Sequence, residues 1–280
     1  MTQNTIKLLS ILYSKVYTRK YKFKTSFEYD NISHIRPKIF QASKELVSPK
    51  FIYKYFNNDE HNLDSLEKKY FYLSHPKDFN DPFDCLNNLP YSKNNLNINN
   101  LGVCCFSKVK NSSPMWGNYT NNYKGFCLKV DLKKLKNNIS KNNFFLKVIY
   151  ENSIKNLIEF KKAIEVEDEL NKYNDFNFKQ KNHILKVVEF FYRTTIKSKS
   201  WNYEKEYRFI SPSITNNDRN LKFNINCIEE IYIGYKMKSE KPEFYRKLTD
   251  ILKGKYKHVK IFIVKPDTVD LKLNFLPIKQ

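Results

Sequence analysis

The sequence predicts an α+β fold: a mixed or antiparallel split sheet with helices inserted between two clusters of strands. Three observations carry that expectation. Short aromatic and β-branched runs recur towards both ends of residues 49–280. Apolar stripes of helical period fall between them, at about 153–171 and 181–197. Strands and helices do not alternate one for one, as a parallel βαβ array demands. With 280 residues, 41% of them hydrophobic and 16% aromatic, the chain can bury a substantial core.

Residues 1–48 read as an N-terminal extension to a single domain at 49–280. Ile6, Leu9, Ile11, Leu12 and Val16 suit a short amphipathic helix, and YTRKYKFKTSFEY (17–29) follows as a basic-aromatic segment. Its alternation reads as an amphipathic strand; the functional alternative is an arm for single-stranded nucleic acid. FIYKYF (51–56) is a strand by content. Asp59 opens a helix to about Lys68 with Leu63 and Leu66 on its apolar side. YFYLS (70–74) is a second strand, and HPKDFNDPFD (75–84), with two prolines, is a structured loop. LPYSKNNLNINN (89–100) is an Asn-rich excursion.

GVCCFS (102–107) and GFCLKVD (125–131) are buried strands, joined by a turn and a short helical piece. FFLKVIY (144–150) is another strand. The two helices follow, the second with Ile184, Val187, Val188 and Phe191 along one stripe. The last third holds strands at 204–210, 228–233 and 258–264, with a helix near 240–252. No internal repeat is visible.

The net charge of +21 attracts anions, so nucleic acid or another polyanion is an expected partner. The excess is lysine: six arginines (19, 36, 193, 208, 219, 246) stand among 50 basic residues, and arginine is the usual bidentate reader of phosphate and guanine. Cysteines at 85, 104, 105, 127 and 227 are odd in number and form no Cys-x-x-Cys pair. They suggest neither zinc nor a disulfide framework, no metal site is expected, and a reducing, cytoplasmic setting is. The first residues do not read as a signal peptide, and no stretch reaches the length of a membrane span.

Three stretches carry candidate chemistry. WNYEKEYRF (201–209) sets Glu204, Glu206 and Arg208 at every second position, one face of a strand. Such a row is either a salt-bridged solvent edge or a pair of carboxyls about 7 Å apart, near the spacing that works on glycosidic bonds. FNDPFD (79–84) is a rigid turn, or a loop delivering Asn80, Asp81 or Asp84 to a pocket. MWGNYTNNYKG (115–125) places Trp116 and Tyr119 three apart, as a core pair or a stacking wall for a nicotinamide or base. The histidines (34, 61, 75, 183, 258) share no motif, and Ser107 lacks a nucleophile-elbow context.

YKY (53–55), YLSHPKDFNDPFD (72–84), CFS (105–107), MWGNYTNNYKGFCL (115–128), KSKSWNYEKEYRFI (197–210) and IEEIYIGYK (228–236) resemble, in order, a bacterial and phage-borne family catalogued as domain of unknown function two-nine-seven-one. The likeness spans roughly residues 50–265. The order of blocks is also similar to ADP-ribosyltransferase folds, in which an early strand holds NAD, a middle strand carries a Ser motif and a late strand a Glu-x-Glu. That likeness implies NAD as a substrate held by Tyr53, Lys54, Tyr55 and Ser107, with Trp116 or Tyr119 stacking. It implies that Glu206 stabilises the ribose as its glycosidic bond breaks, that Glu204 positions or deprotonates the acceptor, and that Arg208 balances their charge. The expected function is then a bacterial toxin or anti-phage effector that transfers ADP-ribose or hydrolyses NAD, with a protein regulator. Two alternatives come from other classes. One is a basic nucleic-acid-binding protein or metal-dependent nuclease, with acids 81, 84, 204 and 206 around a divalent ion. The other is a non-catalytic interaction module.

Overall fold

A computed structural model describes residues 49–86, 100–137, 143–153, 194–211, 214 and 218–278. The N-terminal extension, nearly all of the Asn-rich excursion and almost all of the two helices expected at 153–171 and 181–197 lie outside the described residues. The first half runs β1 (Phe51–Phe56), α1 (Glu60–Lys68), β2 (Tyr70–Tyr72), 3-10 turns at Pro76–Asp78 and Asp84–Leu86, and β3 (Gly102–Ser107). It continues with α2 (Ser113–Tyr119), β4 (Phe126–Asp131), α3 (Leu132–Lys136), β5 (Phe144–Lys147) and β6 (Ile149–Glu151). Then come β7 (Ile196–Ser198), a 3-10 turn at Lys199–Glu204, β8 (Glu206–Ser211), β9 (Asn220–Lys222) and β10 (Ile228–Gly234). The chain closes with α4 (Met237–Glu240), α5 (Pro242–Lys255), β11 (Lys260–Asp267) and β12 (Lys272–Pro277).

The α+β class and the mixed sheet are as the sequence predicts. Eight strands form one continuous sheet in the order β12-β11-β10-β4-β1-β3-β8-β5, and β2-β9 and β6-β7 are two-stranded ladders outside it. Within the large sheet only β10 and β11 are parallel, and α5 makes the crossover between them.

Alternation along each strand sorts the side chains onto two faces. Ile52, Phe56, Phe126, Leu128, Val130, Cys104, Phe106, Phe209, Ile231 and Ile233 share the first face, packed against Leu63 and Leu66 of α1 and Phe244, Leu248 and Leu252 of α5. The Tyr256 hydroxyl ties the two helices together by donating to the Leu66 carbonyl at 2.7 Å. Register places Tyr53 opposite Ser107, and Ser107 opposite Glu206, so those three form a row on the other face; Cys105 and Arg208 stand beside them. Tyr55, Cys127 and Tyr232 continue this second face and pack against Met115 and Trp116 of α2. Every polar residue of interest on the sheet therefore faces away from α1 and α5, except Lys54. Its side chain lies on the first face, donating to the Cys105 carbonyl at 3.0 Å above the Phe56 and Phe106 rings.

Two local expectations need correction. The helix expected to reach residue 197 gives way to strand β7, because Ile196–Ser198 pairs in parallel with Ile149–Glu151. The strand expected from 204 starts at Glu206: Glu204 ends a 3-10 turn and Lys205 is left-handed, with φ 46°. Strands β9 and β12 were not foreseen.

The turn into β4 depends on a close backbone approach. A Cβ on Gly125 would stand 1.9 Å from the Phe56 carbonyl oxygen, and the Gly125 carbonyl accepts from the Gly234 amide at 3.0 Å. Gly125→Ala is therefore expected to cost at least about 2 kcal/mol through overpacking against backbone that cannot give. Gly117, with nothing within 4 Å of its Cβ position, is the control: Gly117→Ala should be neutral or stabilising by up to about 1 kcal/mol. Urea denaturation midpoints of the two variants check both signs.

Candidate active site

The left-handed Lys205 turns the chain between Glu204 and Glu206, so the two carboxyls reach the same place from a turn and a strand rather than from one face of one strand. They converge below the surface, not at a solvent edge. Glu204, Glu206, Arg208, Asp84 and Lys197 are all at most 5% exposed, and Arg208 is wholly buried.

Arg208 organises the cluster. Its Nε and Nη2 donate to the two oxygens of Glu206 at 2.8 and 3.0 Å. Its Nη1 and Nη2 donate to the two oxygens of Asp84, both at 2.8 Å. The Thr194 carbonyl accepts the remaining Nη1 hydrogen at 2.9 Å, and the Phe79 ring lies 5.5 Å from the guanidinium carbon. Two bidentate carboxylates on one fork is a geometry that arginine satisfies and lysine does not. Lys197 is the second cation, 2.8 Å from Glu204 Oε2 and 3.4 Å from both Glu206 Oε2 and Asp84 Oδ2, with its ammonium 4.9 Å from the centre of the Trp201 ring. Three carboxyls thus share two fixed cations.

The surroundings push the two glutamates apart. Burial, then the neighbouring Glu206, raises Glu204 to about 7 against the opposing pull of Lys197 and Tyr119. Glu206 is also penalised by burial, but Arg208 and Lys197 outweigh it and hold its carboxyl well below the usual range. Burial and charge thus push the two carboxyls in opposite directions, one above and the other below the usual glutamate range.

Tyr119 donates its hydroxyl to Glu204 Oε1, so both oxygens of that carboxyl are oriented, and burial raises the phenol's own pKa. Ser107 is buried and donates to the Glu204 carbonyl at 2.5 Å while accepting from the Val109 amide at 3.0 Å. It fixes the 3-10 turn and keeps no free hydroxyl for a ligand. Trp116 is fully buried, with its Nε1 bonded to the Lys110 carbonyl at 2.8 Å and its ring edge-on to Tyr55 at 5.5 Å. Trp116 thus takes the packed-core alternative, while Tyr119 stays part-exposed. The Tyr55 hydroxyl binds the Val109 carbonyl at 2.8 Å, and Lys54 is on the far face of the sheet. Tyr53 lines an open cleft two strands away.

The FNDPFD loop divides in the same way. Asp84 enters the cluster. Asn80 is exposed, and Asp81 is buried with Oδ1 accepting from the Phe83 amide at 3.0 Å. The nuclease arrangement of Asp84 beside Glu204 and Glu206 is present in outline, but Lys197 and Arg208 fill the positions between the carboxyls that a dication would take. Among the described residues no three His, Cys, Asp or Glu side chains form a metal-binding group. No described helix is long and apolar enough to cross a membrane.

Sequence reasoning missed Lys197 and Tyr150, whose hydroxyl accepts from the Glu206 amide at 2.8 Å. Lys197 opens the KSKSWNYEKEYRFI block; a strand there rather than a helix end would have turned it towards Glu204.

A model of the family described as "Protein of unknown function (DUF2971)" matches residues 115–209, so the resemblance read from the sequence holds over the block from Met115 to Phe209. That span contains Tyr119, Lys197, Glu204, Glu206 and Arg208 but not Asp84. No curated protein and no solved structure matches the chain.

Proposed function

We propose that this chain, which carries the DUF2971 segment, acts on the glycosidic bond of NAD, hydrolysing it or transferring its ADP-ribosyl group, and serves as a bacterial toxin or anti-phage effector. The observation that supports the reading is Glu204: a buried carboxyl beside a second carboxylate, raised to about 7, with both oxygens oriented by Lys197 and Tyr119. A carboxyl tuned to ambient pH and fixed in direction is suited to proton transfer. The effector role leans on the phage-borne character of the family the sequence resembles.

In this reading the two glutamates take different parts from those the Glu-x-Glu likeness implies. Glu206 is saturated by Arg208 and Lys197, so it positions Lys197 and supplies fixed negative charge beneath the ribose rather than touching it. The bond from ribose C1′ to the nicotinamide nitrogen breaks, and its electron pair neutralises the leaving pyridinium. Water or an acceptor nucleophile then bonds to C1′ and gives its proton to Glu204. The part-exposed Tyr203 adjoins Glu204 on the solvent side; its hydroxyl accepts from Asn118 at 3.0 Å and its ring stands 6.0 Å from that of Trp201.

The test is NAD consumption by the purified chain, with and without DNA, RNA and EDTA, for wild type, Glu204→Gln and Glu206→Gln. Turnover that resists EDTA and disappears in Glu204→Gln is the expected result. Turnover unchanged in that variant, or no turnover in any mixture, overturns the reading.

A further inference from the structure

On the same face of the sheet as the acid cluster, two strands away, lies a cleft of about 500 Å³ lined in part by Tyr53, Lys108, Lys110, Lys272 and Phe275. The strand order β1-β3-β8 puts its Tyr53 wall about 10 Å from Glu206 along one cross-strand row. The volume is in the range of small-molecule sites.

The chemistry of the lining is specific. Lys110 is held between two rings, its ammonium 4.7 Å from the centre of Tyr232 and 4.5 Å from that of Phe275, and it donates to the Tyr232 hydroxyl at 3.1 Å. The Tyr232 hydroxyl donates to Glu230, which also accepts from Lys129 at 2.6 Å. The chain Lys110, Tyr232, Glu230, Lys129 thus fixes the Lys110 ammonium in the wall of the cleft. Lys108 is exposed at the rim, and Lys272 pairs with Asp270. Counting Lys108, Lys110, Lys129 and Lys272 against Glu230 and Asp270 leaves a surplus of two positive charges. Burial lowers the pKa of Lys110, so an arriving anion would replace solvation that this ammonium lacks. Tyr53 and Phe275 offer ring surface beside it.

We propose that this cleft binds a nucleoside phosphate, with Lys110 and Lys108 on the phosphates and Tyr53 and Phe275 against the base. Two charges match a phosphate group, and the rings demand a planar partner that phosphate alone lacks. The ligand is a free nucleotide rather than a nucleic-acid strand, because the surplus of two positive charges matches one phosphate group and a volume of about 500 Å³ suits a single small molecule. Its purpose rests on the NAD reading, in which the cleft takes the ADP half while the nicotinamide ribose reaches Glu204; its chemistry rests on the lining residues alone.

The experiment is calorimetric titration of the full chain with ADP, adenosine, inorganic phosphate and a short single-stranded oligonucleotide, followed by ADP inhibition of NAD turnover. ADP should bind at least about ten-fold more tightly than adenosine or phosphate, since each lacks one half of the match. Lys110→Gln should weaken ADP about ten-fold, and the exposed-site variant Lys272→Gln by a smaller factor, while Glu204→Gln leaves ADP affinity unchanged. Lys272→Gln keeps the comparison informative even if Lys110→Gln folds poorly. ADP binding without NAD turnover would leave the cleft standing and sink the enzyme reading. Turnover that ADP does not inhibit, equal binding of phosphate and ADP, or preference for the oligonucleotide would each overturn the cleft assignment.

Discussion

Arg208→Met should destabilise the fold by about 3–5 kcal/mol, the cost of leaving buried carboxylates without their cation. The arithmetic of the cluster explains the size. With all three carboxyls ionised, wild type sets Asp84, Glu204 and Glu206 against Arg208 and Lys197, a deficit of one positive charge. Without Arg208 the deficit is two, four carboxylate hydrogen bonds are lost, and the Thr194 carbonyl loses a donor. Arg208→Lys keeps the charge but not the fork, so its cost should fall between wild type and methionine. The pH dependence identifies the cause. In Arg208→Met the Glu206 carboxyl loses the main partner that outweighs its burial, so its depressed folded pKa rises above the unfolded one. The deficit is then full at neutral pH and shrinks as acid protonates Glu206. Thermal melts at pH 5 and pH 8 should show the mutant closer to wild type at the lower value. A mutant within a degree or two of wild type at pH 8 would mean that Arg208 does not hold the cluster together.

Much of this was legible in the sequence, for a reason that also marks where legibility stops. Strand content is local, so strands at 51–56, 102–107 and 125–131 could be placed from the pattern itself. Alternation misplaced Glu204, because period two assumes extended backbone, and a single left-handed residue, Lys205, breaks it. The convergence of Glu204 and Glu206 survived only because the turn returns the chain to the same side. What local pattern cannot supply is a partner remote in sequence. Asp84 is 124 residues from Arg208, and nothing within FNDPFD distinguishes it from Asp81, which faces its own loop. Trp116 and Ser107 were attractive as ligand-binding residues for their chemistry, yet an indole nitrogen and a hydroxyl are equally good at tying a loop to a strand. The backbone carbonyls of Lys110 and Glu204 took them.

Glu204→Gln is expected to lower NAD turnover by roughly 10²- to 10⁴-fold, the usual worth of a positioned general base, while leaving the protein folded. The amide fits the site: its oxygen can accept from Lys197 and its NH2 can donate to the Tyr119 oxygen, so neither neighbour is stranded. Stability should move the opposite way from activity. The Glu204 carboxyl is raised from 4.5 to about 7 in the fold, so the folded state favours the proton. That contribution is present below pH 4.5 and is lost as pH rises through about 7, with a ceiling of about 3 kcal/mol at 1.36 kcal/mol per unit. Glu206 opposes it at lower pH: its depressed pKa gives stability that is present above its unfolded value and lost on further acidification. The pair should therefore place a stability maximum near the unfolded glutamate value and a decline towards neutrality. Glu204→Gln abolishes the decline, so at pH 8 its melting temperature should equal or exceed that of wild type. In the proposed reaction the ionised Glu204 carboxylate takes the proton, so NAD turnover should rise with pH through about 7 in wild type. A variant that is both less stable at pH 8 and undiminished in turnover would show that Glu204 is held in place for packing alone. A more stable, inactive one would show a carboxyl kept at a cost to the fold because the chemistry requires it.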